Sequence, residues 1–261
     1  MTVKKTRGMN NSSTYRVRPL MEYVRSRNGA LTKLLALVGI SINGDPTEYR
    51  YDGALNGEKQ LPPTKKHLEA LLDTLVDYDK KTIKRGSGKI LIVGEERESL
   101  FSGDYEKRVN AINKAKKLLS EEYDSLTPSS RKWYMLEGFT HPDIFIEGED
   151  YIIVAEGKWT EPHITTTTSY LVNHNERNQM ARHIQGALNY AAKNGNKKVY
   201  AFYIVDGDQD YANTLTGLRL DKEAVELNDS EKEEILNAYR GYTTWQKIEN
   251  IFEDIKFRPK L

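Results

Sequence analysis

Residues 141 to 158 read His-Pro-Asp-Ile-Phe-Ile-Glu-Gly-Glu-Asp-Tyr-Ile-Ile-Val-Ala-Glu-Gly-Lys, and no other stretch restricts the fold so tightly. Two short apolar runs meet at a Gly-Glu-Asp turn, which predicts a hairpin of strands 143 to 147 and 151 to 157. Asp143 stands at the outer end of one strand, and Glu156 and Lys158 at the outer end of the other. Side chains alternate across a strand, so Glu156 and Lys158 share one face while Ala155 and Gly157 point away. Asp143 joins them only if it lies opposite an even-numbered residue, Val154 or Glu156. A connection of even length or a bulged three-residue one achieves this, and a plain three-residue loop does not. In the favourable register Ile144, Ile146, Ile153 and Ala155 form the opposite, core-facing layer.

Around the hairpin the pattern is α/β. The apolar run from Val199 to Val205 predicts a strand buried on both faces. Before it, Met180, Ala181, Ile184, Ala187, Leu188 and Ala191 recur at helical spacing and predict a helix over about 176 to 193, closed by Gly195. Helices are also predicted from 64 to 79 with Thr64 as cap, and from 105 to 123. A short buried helix runs from Leu31 to Ile40 and ends near Gly39. The turn-rich segment 42 to 62 reads as a connection, Ile90 to Val93 as either strand or helix, and the aromatic-rich Lys132 to Leu136 as a strand. Near the end, Ser230 with Glu233 predicts a capping box for a helix to about Arg240, and a last helix spans Thr244 to about Phe252. The expected architecture is a mixed central sheet flanked by helices. Residues 1 to 14 form a disordered basic arm, 15 to 100 a helical N-terminal region, and 101 to 261 the α/β domain with its helical tail.

Composition narrows the chemistry. The chain has no cysteine, so disulfides, thiolate catalysis and cysteine-ligated zinc are excluded. No stretch approaches the ~18 consecutive apolar residues of a membrane helix and no signal peptide is apparent, which makes the cytoplasm the expected compartment. The net charge is only +1, yet Lys4, Lys5, Arg7, Arg16, Arg18, Arg25, Arg27 and Lys33 face Glu22 alone in the first 36 residues. Arg16, Arg18, Arg25 and Arg27 are thus candidate nucleic-acid contacts, against the plainer reading of a solvated terminus.

Brought together, Asp143 and Glu156 offer hard oxygen ligands to Mg²⁺ or Mn²⁺. Such a metal acidifies a bound water and neutralises charge on a scissile phosphate, while Lys158 orients the nucleophile and stabilises the transition state. Acid-x-Lys triplets recur at Asp79-Lys80-Lys81 and Asp254-Ile255-Lys256, but only Glu156-Gly157-Lys158 ends an apolar strand and follows a Pro-Asp pair. The bland alternative is a surface hairpin whose charges merely end two strands.

Pro142-Asp143 with Glu156-x-Lys158, set in the order helix, three strands, helix, strand, resembles the PD-(D/E)XK nuclease superfamily, the restriction-endonuclease-like fold. The likeness covers about residues 105 to 206. It implies that Asp143, Glu156 and the carbonyl of Gly157 hold Mg²⁺ or Mn²⁺ and that Lys158 is the catalytic lysine. It also implies hydrolysis of a nucleic acid backbone, most often DNA, and by analogy a homodimer. Many members carry a further acid, for which Glu106 and Glu137 are candidates, and a polar residue on the helix after the catalytic strand, for which Arg177 and Gln179 are candidates. A solvated helix start is the other reading of Arg177 and Gln179. Three classes follow: a DNA endonuclease of restriction or defence type, a DNA repair or processing nuclease or an RNA nuclease of the same fold, and a nuclease-fold nucleic-acid-binding module without catalysis.

Overall fold

The computed structural model describes residues 12–53, 56–77, 94–130, 132–159, 178–207, 220, 226–255 and 257. A five-stranded mixed sheet in the order β1-β2-β3-β4-β5 organises them. The strands are β1 (Glu48–Tyr51), β2 (Ile144–Glu147), β3 (Tyr151–Gly157), β4 (Lys198–Val205) and β5 (Tyr239–Thr244). β1, β2 and β3 are antiparallel, whereas β3, β4 and β5 are parallel. The helices are α1 (Arg18–Ser26), α2 (Ala30–Ala36), α3 (Lys65–Asp73), α4 (Glu95–Leu100), α5 (Tyr105–Glu122), α6 (Gln179–Lys193), α7 (Asp229–Ala238) and α8 (Trp245–Ile251). A π-helical turn, Ser13–Val17, leads into α1. Among the described residues no helix is long and apolar enough to cross a membrane.

The sheet is buried on both faces because each central strand is apolar on both. Ile144, Ile146, Ile153 and Ala155 pack with Val17, Leu20 and Met21, with Leu34 and Leu35 of α2, and with Trp245 of α8. The alternate residues Phe145, Ile152 and Val154 pack with Met180, Ile184 and Ala187 of α6 and Ile235 of α7. A third cluster joins Leu68, Leu71 and Leu72 of α3 to Ile112, Ala115 and Leu119 of α5. Residues fully withdrawn from water in this way are each worth roughly 1.5–3 kcal/mol, which is why the apolar periods were readable.

The predicted helix over 105 to 123 matches α5, and the long helix before β4 matches α6, which starts at Gln179 after an Asn178 cap. Thr64 caps α3 by accepting from His67 N–H, but regular helix stops at Asp73. Four expectations are corrected. The third antiparallel strand is not Lys132 to Leu136, which is irregular, but Glu48–Tyr51 from the segment read as a connection. Tyr134 and Leu136 pack in the third cluster, and Arg97 donates to the carbonyls of Trp133 and Met135 at 2.7 and 3.1 Å, so that backbone has no need of a strand partner. Tyr239–Thr244 is a strand rather than a helix end and linker; Gly241 at φ 75° breaks its alternation. The capping box belongs to Asn228 and Glu231, not Ser230 and Glu233. Helical structure already holds Ser13 and Thr14, which were expected in the disordered arm. Residues 1 to 11, Ile90 to Val93 and Arg177 lie outside the described residues.

Candidate active site

Ile144 pairs with Ala155, so Asp143 falls opposite Glu156. The connection is of even length: Gly148 N–H donates to Tyr151 O at 3.0 Å, leaving Glu149 and Asp150 as a two-residue turn. Parity then places Asp143, Glu156 and Lys158 on the face of β2 and β3 that α6 covers, continuing the line of Phe145 and Val154. All three are withdrawn from water, at 7, 4 and 7% exposure.

Gly157 is fixed by what lies on the other face. A Cβ there would sit 2.6 Å from Val17 Cγ2 and 3.1 Å from Trp245 Cζ2. The close approach of the π-helical turn and α8 therefore demands glycine between the acid and the lysine. Lys158 N–H donates to Ile204 O on β4 at 2.8 Å, and Trp245 Nε1–H donates to Lys158 O at 2.8 Å. Because backbone groups alternate along a strand, Gly157 turns its own N–H and C=O toward β2, and its N–H donates to Asp143 Oδ2 at 2.9 Å.

The carboxylates are held by donors from four directions. Ser13 Oγ–H donates to Asp143 Oδ1. Glu156 Oε1 accepts from Lys158 Nζ at 2.9 Å and from Gln179 Nε2 at 2.8 Å, and Gln179 Oε1 accepts from Lys158 Nζ at 2.9 Å. Glu156 Oε2 lies 3.1 Å from His183 Nε2, whose Nδ1 lies 2.7 Å from Thr140 Oγ1. Burial, then the charge of Glu156, raises the Asp143 carboxyl well above the usual carboxylate range, despite the opposing Ser13, Lys158 and Gly157. Burial also presses Glu156 upward, but Lys158 and His183 outweigh it and bring the group down to about 2. The surroundings thus favour charge on Glu156 and a proton on Asp143.

Of the predicted residues, the structure thus brings together Asp143, Glu156, Gly157, Lys158 and Gln179. Glu137 is buried in a neighbouring cluster, where Arg182 Nε donates to it at 3.2 Å and His67 Nε2 lies 3.0 Å away. Glu106 is exposed in the first turn of α5. Arg16 is corrected from a surface contact to a core residue: it is 6% exposed and stacks 4.4 Å over the Trp159 ring. Arg18 pairs with Glu22 at 2.9 Å, Arg25 donates to Tyr51 OH at 3.1 Å, and Arg27 pairs with Asp254 at 2.7 Å.

Sequence reasoning missed Ser13, Glu58, Thr140 and His183. His183 had a readable signal, since it falls three after Met180 and four before Ala187, inside the apolar stripe of α6. Ser13 and Thr140 had none, because their positions depend on contacts across more than forty residues. Glu58 is half-buried, and burial followed by the charges of Glu156 and Asp52 pushes its carboxyl up to about 7, which places it within electrostatic reach of the site.

Asp143 and Glu156 supply the donor chemistry of a hard cation. Among the described residues no three His, Asp or Glu side chains are grouped to hold one metal ion. Two carboxylates, with the Gly157 carbonyl on their side of β3 and water elsewhere, match what Mg²⁺ takes. The like-charged pair that holds a proton on Asp143 is also relieved by a cation. No family model matches this chain, and neither does any curated protein or solved structure.

Proposed function

We propose that this protein is a metal-dependent nuclease of the restriction-endonuclease-like type, hydrolysing phosphodiester bonds of a nucleic acid, with DNA cut internally as its substrate. The observation that carries the reading is the convergence of Asp143, Glu156 and Lys158 on the α6-facing side of β2 and β3. Gln179 from the first turn of α6 joins them there.

Asp143, Glu156 and the Gly157 carbonyl would hold Mg²⁺ or Mn²⁺, which supplies Lewis acidity and an acidified water. Gly157 N–H and Ser13 Oγ–H keep the Asp143 carboxyl oriented. Lys158, anchored by Glu156 and Gln179, presents a fixed positive charge where negative charge builds on the phosphate. The site is preorganised, because each charged group is already hydrogen-bonded and shielded from bulk water. A binding module without catalysis has no use for two buried carboxylates that repel each other, so this arrangement favours an enzyme.

The test is cleavage of supercoiled plasmid, single-stranded DNA and RNA, with Mg²⁺ or Mn²⁺ against EDTA, by the native chain and by Lys158→Ala. Metal-dependent cutting that the variant loses supports the reading, and the preferred substrate separates a restriction or defence enzyme from a repair or RNA-processing one. No cutting of any substrate, with no Mn²⁺ binding by calorimetry, leaves the binding module.

A further inference from the structure

Three side chains hold Glu156, and one of them has no part in the motif that predicts the site. His183 is fully buried on α6, with one ring nitrogen on Glu156 Oε2 and the other on Thr140 Oγ1. The chemistry of the two neighbours fixes the ring between them. An ionised carboxylate only accepts, so the contact at Oε2 requires the proton on Nε2. Nδ1 of the neutral ring is then an acceptor, and the Thr140 hydroxyl donates to it. Thr140 is itself anchored, since its N–H donates to Leu61 O at 2.8 Å and its C=O accepts from Leu61 N–H at 2.9 Å. Gly186 permits this arrangement: a Cβ there would stand 2.8 Å from Leu61 Cβ and 3.5 Å from Thr140 Cγ2.

We propose that His183 is a positioning residue of the nuclease site, whose Nε2–H clamps Glu156 Oε2 while the Leu61-anchored Thr140 hydroxyl locks the ring tautomer. The inference rests on the nuclease reading for its purpose, and on the described contacts for its geometry. Lys158 and Gln179 hold Oε1, so His183 completes a three-point hold that sets the plane of the carboxylate. A ligand held in this way loses no rotamer freedom when the cation arrives, and removing such an outer partner costs about 10–100-fold in metal affinity or activity.

The test compares the native chain with His183→Ala, His183→Gln and Thr140→Val. Three quantities are read: Mn²⁺ affinity by calorimetry, kcat and KM for plasmid cleavage, and the ¹⁵N shifts of the His183 ring in the metal-free protein. The ring is expected protonated at Nε2 and bare at Nδ1. His183→Ala is expected to weaken Mn²⁺ binding and lower kcat by about tenfold or more with KM for DNA little changed, and His183→Gln, whose amide N–H reaches the same oxygen, to recover most of the loss. A ring protonated at Nδ1 alone overturns the proposal, as does a folded His183→Ala with native Mn²⁺ affinity and kcat. Should His183→Ala fail to fold, Thr140→Val decides: altered ring shifts with weakened Mn²⁺ binding support the clamp, and unchanged values overturn it. A native chain that neither binds Mn²⁺ nor cuts removes the nuclease reading, and with it the role in metal binding. The ring spectrum still shows separately whether His183 holds Glu156.

Discussion

Asp143, immediately before β2, stands opposite Glu156 of β3, and the main-chain N–H of Asp143 points at Glu156 Oε2 from 3.4 Å. Two buried carboxyls so placed cannot both ionise at ordinary cost, and the surrounding donors decide between them. Lys158 and His183 favour charge on Glu156, while burial and Glu156 itself keep the proton on Asp143.

Asp143→Asn is expected to separate stability from activity. An amide still accepts from Gly157 N–H and meets Ser13 by donating to its Oγ, the reverse of the native bond in which Ser13 donates, and it removes the repulsion. In the metal-free protein at neutral pH the variant should be more stable than the native chain, measured by urea unfolding, because burial and Glu156 disfavour an ionised Asp143. Lower stability than the native chain would show that the pair is not strained.

The two acids give opposite pH signatures. Glu156 has a folded value below its ordinary 4.5, so its stabilisation is full above that value and is lost as pH falls toward about 2. Asp143 has a raised folded value, so metal-free stability declines as pH climbs above the ordinary carboxylate range. Mn²⁺ affinity should rise over the same upper window, because the Asp143 proton must leave, and calorimetry in buffers of different ionisation enthalpy should detect its release. Affinity that is flat with pH would contradict this assignment.

Gly157→Ala is expected to destabilise the fold by roughly 1–3 kcal/mol through overpacking against Val17 and Trp245. The collision bears on the turn that carries Ser13, so Mn²⁺ binding should weaken as well. A thermal melt unchanged from the native chain would mean that the π-helical turn does not pack there.

Arg16→Ala is expected to act on stability rather than on nucleic-acid contact. Loss of the stacked guanidinium over Trp159 should cost about 2 kcal/mol, while the salt dependence of DNA binding keeps its slope. A slope reduced by about one, with stability intact, would return Arg16 to the surface.

Much of the site was legible because it depends on parity within a hairpin. Once two apolar runs are joined by a turn of even length, alternation alone delivers Asp143, Glu156 and Lys158 to one face; the alternation is local, whereas the sequence left the turn length open and the structure makes it the two-residue Glu149-Asp150 turn. The long helices α5 and α6 were legible from their own apolar period. What escaped depends on distant pairing. The segment Glu48–Tyr51 is four residues long with an alternation of charged and aromatic side chains, and only docking beside β2 makes it a strand. The aromatics of Lys132 to Leu136 signal burial equally well beside helices, and there the tertiary setting overrides β-propensity. Arg16 read as a surface charge because a lone arginine in a basic segment gives no hint of the tryptophans that bury it.

The most direct test of the nuclease claim is the rate of supercoiled plasmid cleavage by the native chain and by Asp143→Asn, in Mg²⁺ or Mn²⁺ and in EDTA. Cutting by the native chain is expected to require the metal and to fall by about 10³-fold in a variant that melts no lower than the native protein. Equal cutting by both proteins would contradict the nuclease claim, as would no cutting by the native chain with any metal and no heat of Mn²⁺ binding.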